Sequence, residues 1–339
     1  MCDLVLSTRV SEQELQNLEN FVRQHPNSNF FQSRFAFDTF KQTKYYEPLL
    51  ILAIKNDAII GSVIGTIIRE GNGLKGLVSR RCIVWGGPLV KNNDIVVYKA
   101  LVEKLSKVVS NRTIYTQFRN LSLLSKPEVN CFKQLNFNYY AHLDILHDLT
   151  IPIEKQWMKI HNGRRKNIKR AINRGLIFRE INNKTGVDQS YELIKQTYRR
   201  IKLPLADKSF FDVFFTKLVD KGILKIFAAY SEDVIVSARL VLCYNSTIYD
   251  WYSGTNDNYL DKYPNDFMPW KIMEWGTKNG FKKFTFGGAG KPDKPYGVRD
   301  YKLKYGGKLV EYGRFEKTNN KLLFAVGKIG LELYKALKC

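Results

Sequence analysis

The sequence lacks the clusters of cysteine and histidine that hold metals or disulfide frameworks. It has five cysteines and four histidines in 339 residues, and no two cysteines form a CxxC pair. An odd number of widely spaced thiols argues against a disulfide scaffold, and the scattered histidines argue against a zinc site. We therefore expect no metal and a reducing compartment.

The sequence also lacks a long apolar run. No stretch approaches the ~18 uninterrupted apolar residues that a membrane-spanning helix needs. The first ten residues include Asp3 and have no apolar core, so they do not resemble a signal peptide. We expect a cytoplasmic protein, with peripheral contact at the inner face of an anionic membrane as an open alternative.

Acidic residues are scarce relative to basic ones. The chain has 54 lysines and arginines against 32 aspartates and glutamates, which gives a formal net charge of +22. A field of this sign favours polyanionic partners: nucleic acid, an anionic membrane surface or phosphorylated substrates. Charge alone does not choose among the three.

The spacings of several common catalytic motifs are absent as well. The sequence contains no HExxH, no GxSxG and no Walker phosphate loop. The glycine-rich stretch 287–290 follows a predicted strand but lacks the GxGxxG spacing. We interpret it as a turn that lets the backbone approach a ligand.

What is present is enough apolar sequence for two domains. Hydrophobic residues make up 44% of a chain that is twice the size of a common domain. Ser11 and Glu14 predict a capping box for a helix over 11–25, and residues 49–68 predict a β-hairpin. Strand patterns continue through 137–149. Mixed strands and helices in this order predict an α/β (α+β) architecture.

The hairpin pattern occurs twice. The segments LLILAIKNDAIIGSVIGTII and LKIFAAYSEDVIVSARLVLCY place Asp57 and Asp233 at corresponding turns. A repeat of this length indicates duplicated domains, rather than a solenoid.

A strongly basic segment connects the two halves. Residues 153–175 predict one helix, and its end carries Arg164, Arg165, Lys169 and Arg170 with no acidic residue from 163 to 175. We interpret these side chains as a nucleic-acid-binding surface, with an ordinary solvated helix face as the alternative. Residues 321–338 predict a C-terminal helix, for which membrane-surface docking and packing back onto the protein both stay open.

Two stretches make the sequence resemble a known family. Residues 251–288 (WYSGTNDNYLDKYPNDFMPWKIMEWGTKNGFKKFTFGG) and 301–307 (YKLKYGG) are similar to second-domain signatures of the FemAB family. The resemblance implies two tandem GNAT-like domains with the acyl-CoA N-acyltransferase fold, over 1–150 and 151–339, with mixed sheets flanked by helices. Many members of this bacterial family move an amino acid from aminoacyl-tRNA to an amine of a peptidoglycan precursor, without a cofactor.

The resemblance also implies roles for individual residues. Lys302 lies at the reaction centre, and Tyr301 beside it contributes its backbone carbonyl to the amine. Substrate-binding positions of the family correspond to four further residues: Arg200, Tyr252, Lys41 and Lys304. We expect the acceptor to be a phosphorylated cell-wall or glycan precursor.

Two departures from these families keep other functions open. Acetyl-CoA enzymes have a glycine-rich pyrophosphate loop where residues 259–268 have no glycine and carry Asp261 and Asp266. Arg119 and Asn120 stand where some peptidoglycan-modifying members have an acid. One alternative is an N-acyltransferase of surface-polysaccharide assembly that uses acyl-CoA or an acyl-carrier protein. Another is a non-catalytic RNA- or membrane-binding protein on the same fold.

Overall fold

A computed structural model of the chain describes residues 4–327 and residue 329. Its strands, numbered in chain order, are β1 (Val5–Ser7), β2 (Tyr46–Lys55), β3 (Ala58–Ile68), β4 (Arg81–Trp85), β5 (Leu89–Val90), β6 (Tyr115–Arg119), β7 (Asn138–Tyr140), β8 (Leu143–Asp148), β9 (Leu176–Ile181), β10 (Leu224–Ser231), β11 (Val234–Tyr244), β12 (Thr247–Thr255), β13 (Lys283–Gly288), β14 (Lys308–Glu311) and β15 (Arg314–Thr318).

The α-helices alternate with these strands. They are α1 (Glu12–Gln24), α2 (Arg34–Gln42), α3 (Gly73–Ser79), α4 (Ile95–Val109), α5 (Lys126–Gln134), α6 (Ile153–Lys159), α7 (Asn162–Asn173), α8 (Lys184–Arg200), α9 (Lys208–Leu218), α10 (Pro264–Lys278) and α11 (Gly297–Leu303). Residues 321–327 are also helical and are called the C-terminal segment below. None of the helices in the described part of the chain is long and apolar enough to span a bilayer.

Local sequence signals explain the first elements. The Ser11 hydroxyl accepts a hydrogen bond from the Glu14 backbone N–H, and the Glu14 carboxylate accepts one from the Ser11 N–H, so the predicted capping box begins α1. Asn56 and Asp57 both have positive φ in the two-residue turn between β2 and β3. Asparagine and aspartate tolerate this conformation, so the predicted hairpin forms there.

The chain divides into two compact units. Unit 1 contains residues 1–141 and 312–339, and unit 2 contains residues 142–311. The division differs from the predicted boundary at 150 because the predicted strand 137–149 is two strands, β7 and β8, which pair in different sheets. Residues 312–318 were predicted in the second domain, yet β15 completes the sheet of unit 1.

The two sheets have the same pattern of pairing. The sheet of unit 1 runs β1-β2-β3-β4-β6-β15-β7, with β5 also paired to β3, and the sheet of unit 2 runs β9-β10-β11-β12-β13-β8-β14. In each, a hairpin leads to a parallel pair, β4 with β6 or β12 with β13. Ser231 and Val234 lie 176 residues after Lys55 and Ala58, the corresponding hairpin ends. The predicted duplication is therefore present in the topology.

The predicted basic helix over 153–175 is not continuous. The structure has α6 and α7, separated at Ile160 and His161. Ile160 adopts an extended conformation and is buried, and the His161 N–H donates to the Lys304 carbonyl at 2.8 Å. The His161 ring then accepts from the Gly163 N–H at 3.2 Å and so caps α7. The predicted helix 321–338 is helical over 321–327, and its remainder lies outside the described residues apart from Ile329, which is also helical.

Each unit has its own apolar core. In unit 1, α4 and α5 pack on one face of the sheet around Leu101, Phe118, Phe132 and Phe315. In unit 2, α7 and α10 pack around Phe267, Met268, Ile272 and Phe284. The core of unit 2 includes side chains of β12, β13 and the first turns of α10, and the candidate site is built on these elements.

Candidate active site

The candidate site lies where β12 and β13 stop pairing. Residues 247–249 of β12 pair with 283–285 of β13, yet β12 continues to Thr255 and β13 to Gly288. Irregularities occur at this point in both strands. The register of β12 on β11 shifts between Tyr252 and Asp250, and that of β13 on β8 shifts between Thr285 and Gly288. The end of the ladder leaves backbone groups of β13 available to other partners.

Lys302 occupies this position. It lies on α11, and its Nζ donates to the carbonyl oxygens of Phe286 and Gly288, each at 2.8 Å. An ammonium has three N–H donors, so one has no acceptor in the described part of the chain and can serve a bound molecule. The side chain is only partly exposed, and burial lowers its pKa, while the negative charge of Asp250 acts in the opposite direction. Lys302 is therefore a cation held in a partly desolvated place.

The backbone between the two carbonyls depends on a glycine. Gly287 has φ +64°, which a side chain would strain, and its N–H donates to the Thr285 hydroxyl at 3.0 Å. The turn at Gly287 positions the carbonyls of Phe286 and Gly288 so that the Lys302 ammonium contacts both. The predicted approach of a ligand to 287–290 stays a prediction, since the group that contacts this backbone is a side chain of the same chain.

An ion pair is buried behind Lys302. Arg239 on β11 donates to an Asp250 carboxylate oxygen on β12, and their side chains are only 6% and 8% exposed. Burial raises the pKa of Asp250, although Arg239 and Lys302 both favour its charged form. The second Asp250 oxygen is buried and has no hydrogen-bond partner among the residues that the structure describes. Sequence reasoning missed this pair, although an arginine within the apolar strand VIVSARLVLCY was a signal.

Two tyrosines, Tyr301 of α11 and Tyr305 just after it, connect that ion pair to α10. The Tyr301 hydroxyl lies 3.4 Å from an Arg239 nitrogen and donates to the Asn265 carbonyl at 2.5 Å. The Tyr305 hydroxyl is 3.0 Å from the same carbonyl. Pro269 occurs four residues after Asn265 inside α10 and has no N–H to bond it. The tyrosines therefore satisfy a carbonyl that the helix leaves without a donor, and this fixes α11 in position.

Arg164 belongs to this internal network, not to an open surface. It forms an ion pair with Asp266 in the first turn of α10, and Asn167 donates to the other Asp266 oxygen at 3.2 Å. Its guanidinium lies 4.3 Å from the centre of the Tyr301 ring. With its side chain 17% exposed and paired, Arg164 is unsuited to the predicted nucleic-acid contact. The sequence did not reveal its partner, which is 102 residues away.

The rest of the basic segment is more open. Lys169 is exposed, and Arg165 is half-buried, with a guanidinium nitrogen 3.2 Å from the Met158 sulfur. Arg170 is exposed and lies 3.4 Å from the Tyr263 hydroxyl. Arg174 pairs with Asp261 at 3.3 Å. The predicted surface is therefore made of Arg165, Lys169 and Arg170.

The predicted substrate residues lie in three places. Arg200 ends α8 and pairs with Asp257, and both side chains are about half exposed. Tyr252 on β12 contacts Tyr198 of α8, with ring centres 5.8 Å apart. Lys304 caps α11 and is exposed. Lys41 is exposed on α2 of unit 1. Their roles stay predictions.

The position where some family members carry an acid has a cation here. Arg119 at the end of β6 donates to the Gln117 side chain at 2.7 Å and lies over the Trp85 ring at 6.0 Å. Burial and the nearby Arg314 lower its pKa to about 10. Asn120 donates to the Tyr312 carbonyl at 3.1 Å. Neither side chain can act as a carboxylate base.

The first turn of α10 is also a poor phosphate site. Pro264 has no N–H, and the buried carboxylate of Asp266 occupies the position where an anion would benefit from the helix dipole. The region thus differs physically from a pyrophosphate-binding loop.

Comparisons with known proteins agree with this architecture. A family model described as Acetyltransferase (GNAT) domain matches residues 162–303. The chain is 21% identical to Lipid II:glycine glycyltransferase of Staphylococcus haemolyticus strain JCSC1435, over an alignment of 393 positions that covers 91% of this chain and 92% of that protein.

Solved structures show the same fold. The crystal structure of FemX matches with a TM-score of 0.74 at 15% identity and covers 94% of this chain and 98% of its own. A tandem GNAT protein from the clavulanic acid biosynthesis pathway matches with a TM-score of 0.60 at 8% identity, over 94% and 99% of the two chains. The predicted tandem GNAT fold and the resemblance to the FemAB family are confirmed, and transferase activity is supported.

Proposed function

We propose that this tandem GNAT chain, which resembles FemAB-family proteins along nearly its whole length, is an aminoacyltransferase. It moves an amino acid from aminoacyl-tRNA to an amine of a peptidoglycan precursor. The observation that carries the proposal is the Lys302 ammonium, held by two carbonyls where β12 and β13 stop pairing and with one donor unused. The lipid II glycyltransferase that resembles the chain over nine tenths of its length supports the acceptor class.

The reaction needs an electrostatic site more than an acid–base pair. The acceptor nitrogen attacks the ester carbonyl of the aminoacyl-tRNA, and negative charge develops on the carbonyl oxygen. Lys302 stabilises that oxygen with its free N–H, in a partly desolvated place where the attraction exceeds that in water. The C–N bond forms, the ester C–O bond breaks, and the terminal ribose oxygen leaves and takes up the proton that the amine releases.

Other residues bind and orient the substrates in this proposal. The exposed Lys169 and Arg170, with the half-buried Arg165, contact the tRNA backbone, because cations bind its phosphates. Arg200, Lys41 and Lys304 meet phosphates of the acceptor, and Tyr252 contacts its apolar part. The backbone carbonyl of Tyr301, next to Lys302, accepts a hydrogen bond from the attacking amine. A phosphorylated, lipid-linked acceptor would bring the protein to the inner face of the membrane as a peripheral partner.

The donor is the point at which this proposal differs from its rivals. The Asp266 carboxylate in the first turn of α10 disfavours the pyrophosphate of coenzyme A at this position. A tRNA-linked ester has no pyrophosphate to place there. The same charge argument does not exclude an acyl-carrier protein, so the experiment includes that donor.

A transfer assay tests the proposal. Purified protein receives labelled aminoacyl-tRNA pools, labelled acetyl-CoA or a labelled acyl-carrier protein, each with an extract of cell-wall precursors. We expect label to move from tRNA only. Lys302→Ala should lower turnover about 100-fold or more, the effect typical of losing one oxyanion donor.

The matched control is Lys308→Ala, an exposed lysine of β14 in the same unit. It should leave turnover unchanged, and both variants should unfold at the wild-type temperature within a few degrees. Transfer from acetyl-CoA or from the carrier protein would instead establish the N-acyltransferase alternative. Full activity of Lys302→Ala would contradict the proposed role of the ammonium.

A further inference from the structure

Two helical segments of unit 1 expose large apolar side chains. On α3, Leu74 is 80% exposed and Leu77 is 46% exposed. Leu322 and Val326 of the C-terminal segment are 75% and 45% exposed, and Ile329 beyond it is 61% exposed. Leu74 and Leu77 are three residues apart. Leu322, Val326 and Ile329 follow one another at spacings of four and three. These spacings place the side chains along one face of each helix. Single exposed leucines are ordinary on protein surfaces, but two adjoining apolar faces are not.

The two segments lie against each other. A β-carbon added to Gly327 would lie 2.9 Å from the Val78 carbonyl oxygen at the end of α3. The opposite face of the C-terminal segment packs on the sheet of unit 1, where the Phe324 ring is 5.7 Å from the Tyr115 ring. The segment is therefore fixed by one face and exposes the other. The exposed apolar side chains of the two segments form one surface, called the α3 surface below.

Basic residues surround the α3 surface. Between residues 69 and 81 the chain has four basic residues and one acid, Glu70, which Arg81 neutralises at 2.6 Å. The C-terminal segment, residues 321–327, adds Lys321 and has no acidic residue. Lys75 stands on α3 and is exposed, as is Lys321 at the start of the C-terminal segment. An apolar face bordered by lysine and arginine complements a surface that is apolar inside and anionic outside.

We infer that the α3 surface docks on an anionic lipid bilayer. The leucine and valine side chains enter the boundary between headgroups and acyl chains, and the lysines and arginines contact lipid phosphates. A second copy of the chain fits less well because two basic borders would face each other. The reason for docking rests on the proposed function, since a lipid-linked acceptor lies in such a membrane, but the docking itself is measured without any substrate.

Vesicle flotation tests the inference with the full chain. Phosphatidylglycerol-containing vesicles should bind the wild-type protein, neutral phosphatidylcholine vesicles should bind it weakly, and salt should reduce binding to the former. The double variants Leu74→Ser/Leu77→Ser and Leu322→Ser/Val326→Ser should each lower the partition coefficient by at least about tenfold. Lys75→Glu/Lys321→Glu should lower it by a similar factor on anionic vesicles alone.

The matched control is Val96→Ser/Leu123→Ser. These side chains are 69% and 71% exposed in the same unit but lie outside the α3 surface, so the control should bind vesicles as the wild type does. Equal binding by the leucine variants and the wild type would overturn the inference. So would a wild-type protein that ignores vesicles and instead forms dimers that the leucine variants abolish, as sedimentation would detect. Transfer to a water-soluble acceptor should survive in all variants, which separates this inference from the proposed chemistry.

Discussion

Arg239 donates to one carboxylate oxygen of Asp250, while the other Asp250 oxygen is buried with no hydrogen-bond partner within residues 4–327. The pair lies on neighbouring strands directly behind the residue proposed to stabilise the oxyanion, and Arg239 also contacts the Tyr301 hydroxyl at 3.4 Å. A buried ion pair is seldom the most stable filling for a core, because both charges lose their hydration. Its position therefore suggests a role in setting the charge and position of Lys302.

Breaking this pair should destabilise unit 2 strongly. Asp250→Asn leaves the Arg239 guanidinium buried without a counter-charge, and we expect the free energy of unfolding to fall by about 3–5 kcal/mol. Urea denaturation followed by tryptophan fluorescence measures the loss. The double variant Arg239→Met/Asp250→Leu removes both charges and should recover at least half of the lost stability, since no charge is then left unpaired.

A matched ion pair provides the control. Glu274 on α10 is paired with Lys271 on the surface side of the same unit, and both side chains are more than a fifth exposed. Glu274→Gln should cost less than about 1 kcal/mol. If Asp250→Asn were equally mild, the pair would be solvated in solution, and its proposed influence on Lys302 would have no physical basis.

The pH dependence of transfer should reveal the charge of Lys302. Activity requires Lys302 in its protonated form. It is therefore lost as pH rises through the pKa of Lys302, which burial has already lowered. The Asp250 carboxylate raises that pKa, so Asp250→Asn should move the alkaline limb of kcat/KM to lower pH. Lys302→Arg should abolish this limb because a guanidinium stays protonated throughout the range. A limb that does not move in Asp250→Asn would show that the carboxylate has no influence on the catalytic cation.

Local signals in the sequence were sufficient for much of the fold. The capping box at Ser11, the hairpin turns and the repeated apolar strands all act within a few residues, so the pattern alone locates them. The division of 137–149 between two sheets was not visible, because both parts have the same strand pattern. The sheet that each part joins is decided by its partner, β15 for β7 and β13 for β8. The break at Ile160 likewise depends on a contact with Lys304, far away in the chain.

In the candidate site, too, local sequence motifs could be predicted and long-range contacts could not. Lys302 was identified through a short contiguous motif, so one stretch of sequence was enough. Its neighbours were not, because Arg239 and Asp250 approach through strand pairing, and Arg164 reaches Asp266 only after α7 packs on α10. A basic run in a sequence predicts charge but not which side chains are paired inside the fold, and that is why the ion pair of Arg164 with Asp266 was not predicted.

Binding of tRNA should distinguish Arg165 and Lys169 from Arg164, which is paired with Asp266. Arg165→Glu/Lys169→Glu should weaken tRNA binding by at least about tenfold and reduce the slope of log K against log salt by about 1–2, because two phosphate contacts are lost. Arg164→Ala should instead lower the stability of unit 2, since Asp266 loses its partner, while the salt slope stays close to that of the wild type. Filter binding at several salt concentrations measures both. An unchanged slope in the double variant would rule out this surface as the tRNA contact.

Acid should destabilise the protein partly through His147. The ring is buried on β8 with Phe286 at 5.3 Å, and burial, assisted by the charge of Lys159, lowers its pKa from 6.5 to about 4. The folded state thus keeps the ring neutral while the unfolded chain binds a proton below pH 6.5. The contribution of His147 to the free energy of unfolding is therefore highest above pH 6.5, and it falls as pH is lowered from 6.5 to about 4. This decrease is at most about 3 kcal/mol. His147→Gln cannot titrate, so its stability relative to wild type should rise by up to this amount over that interval, as urea denaturation at a series of pH values would measure. Parallel pH curves for the two proteins would mean that the ring is protonated equally in both states, and therefore that it is hydrated in solution.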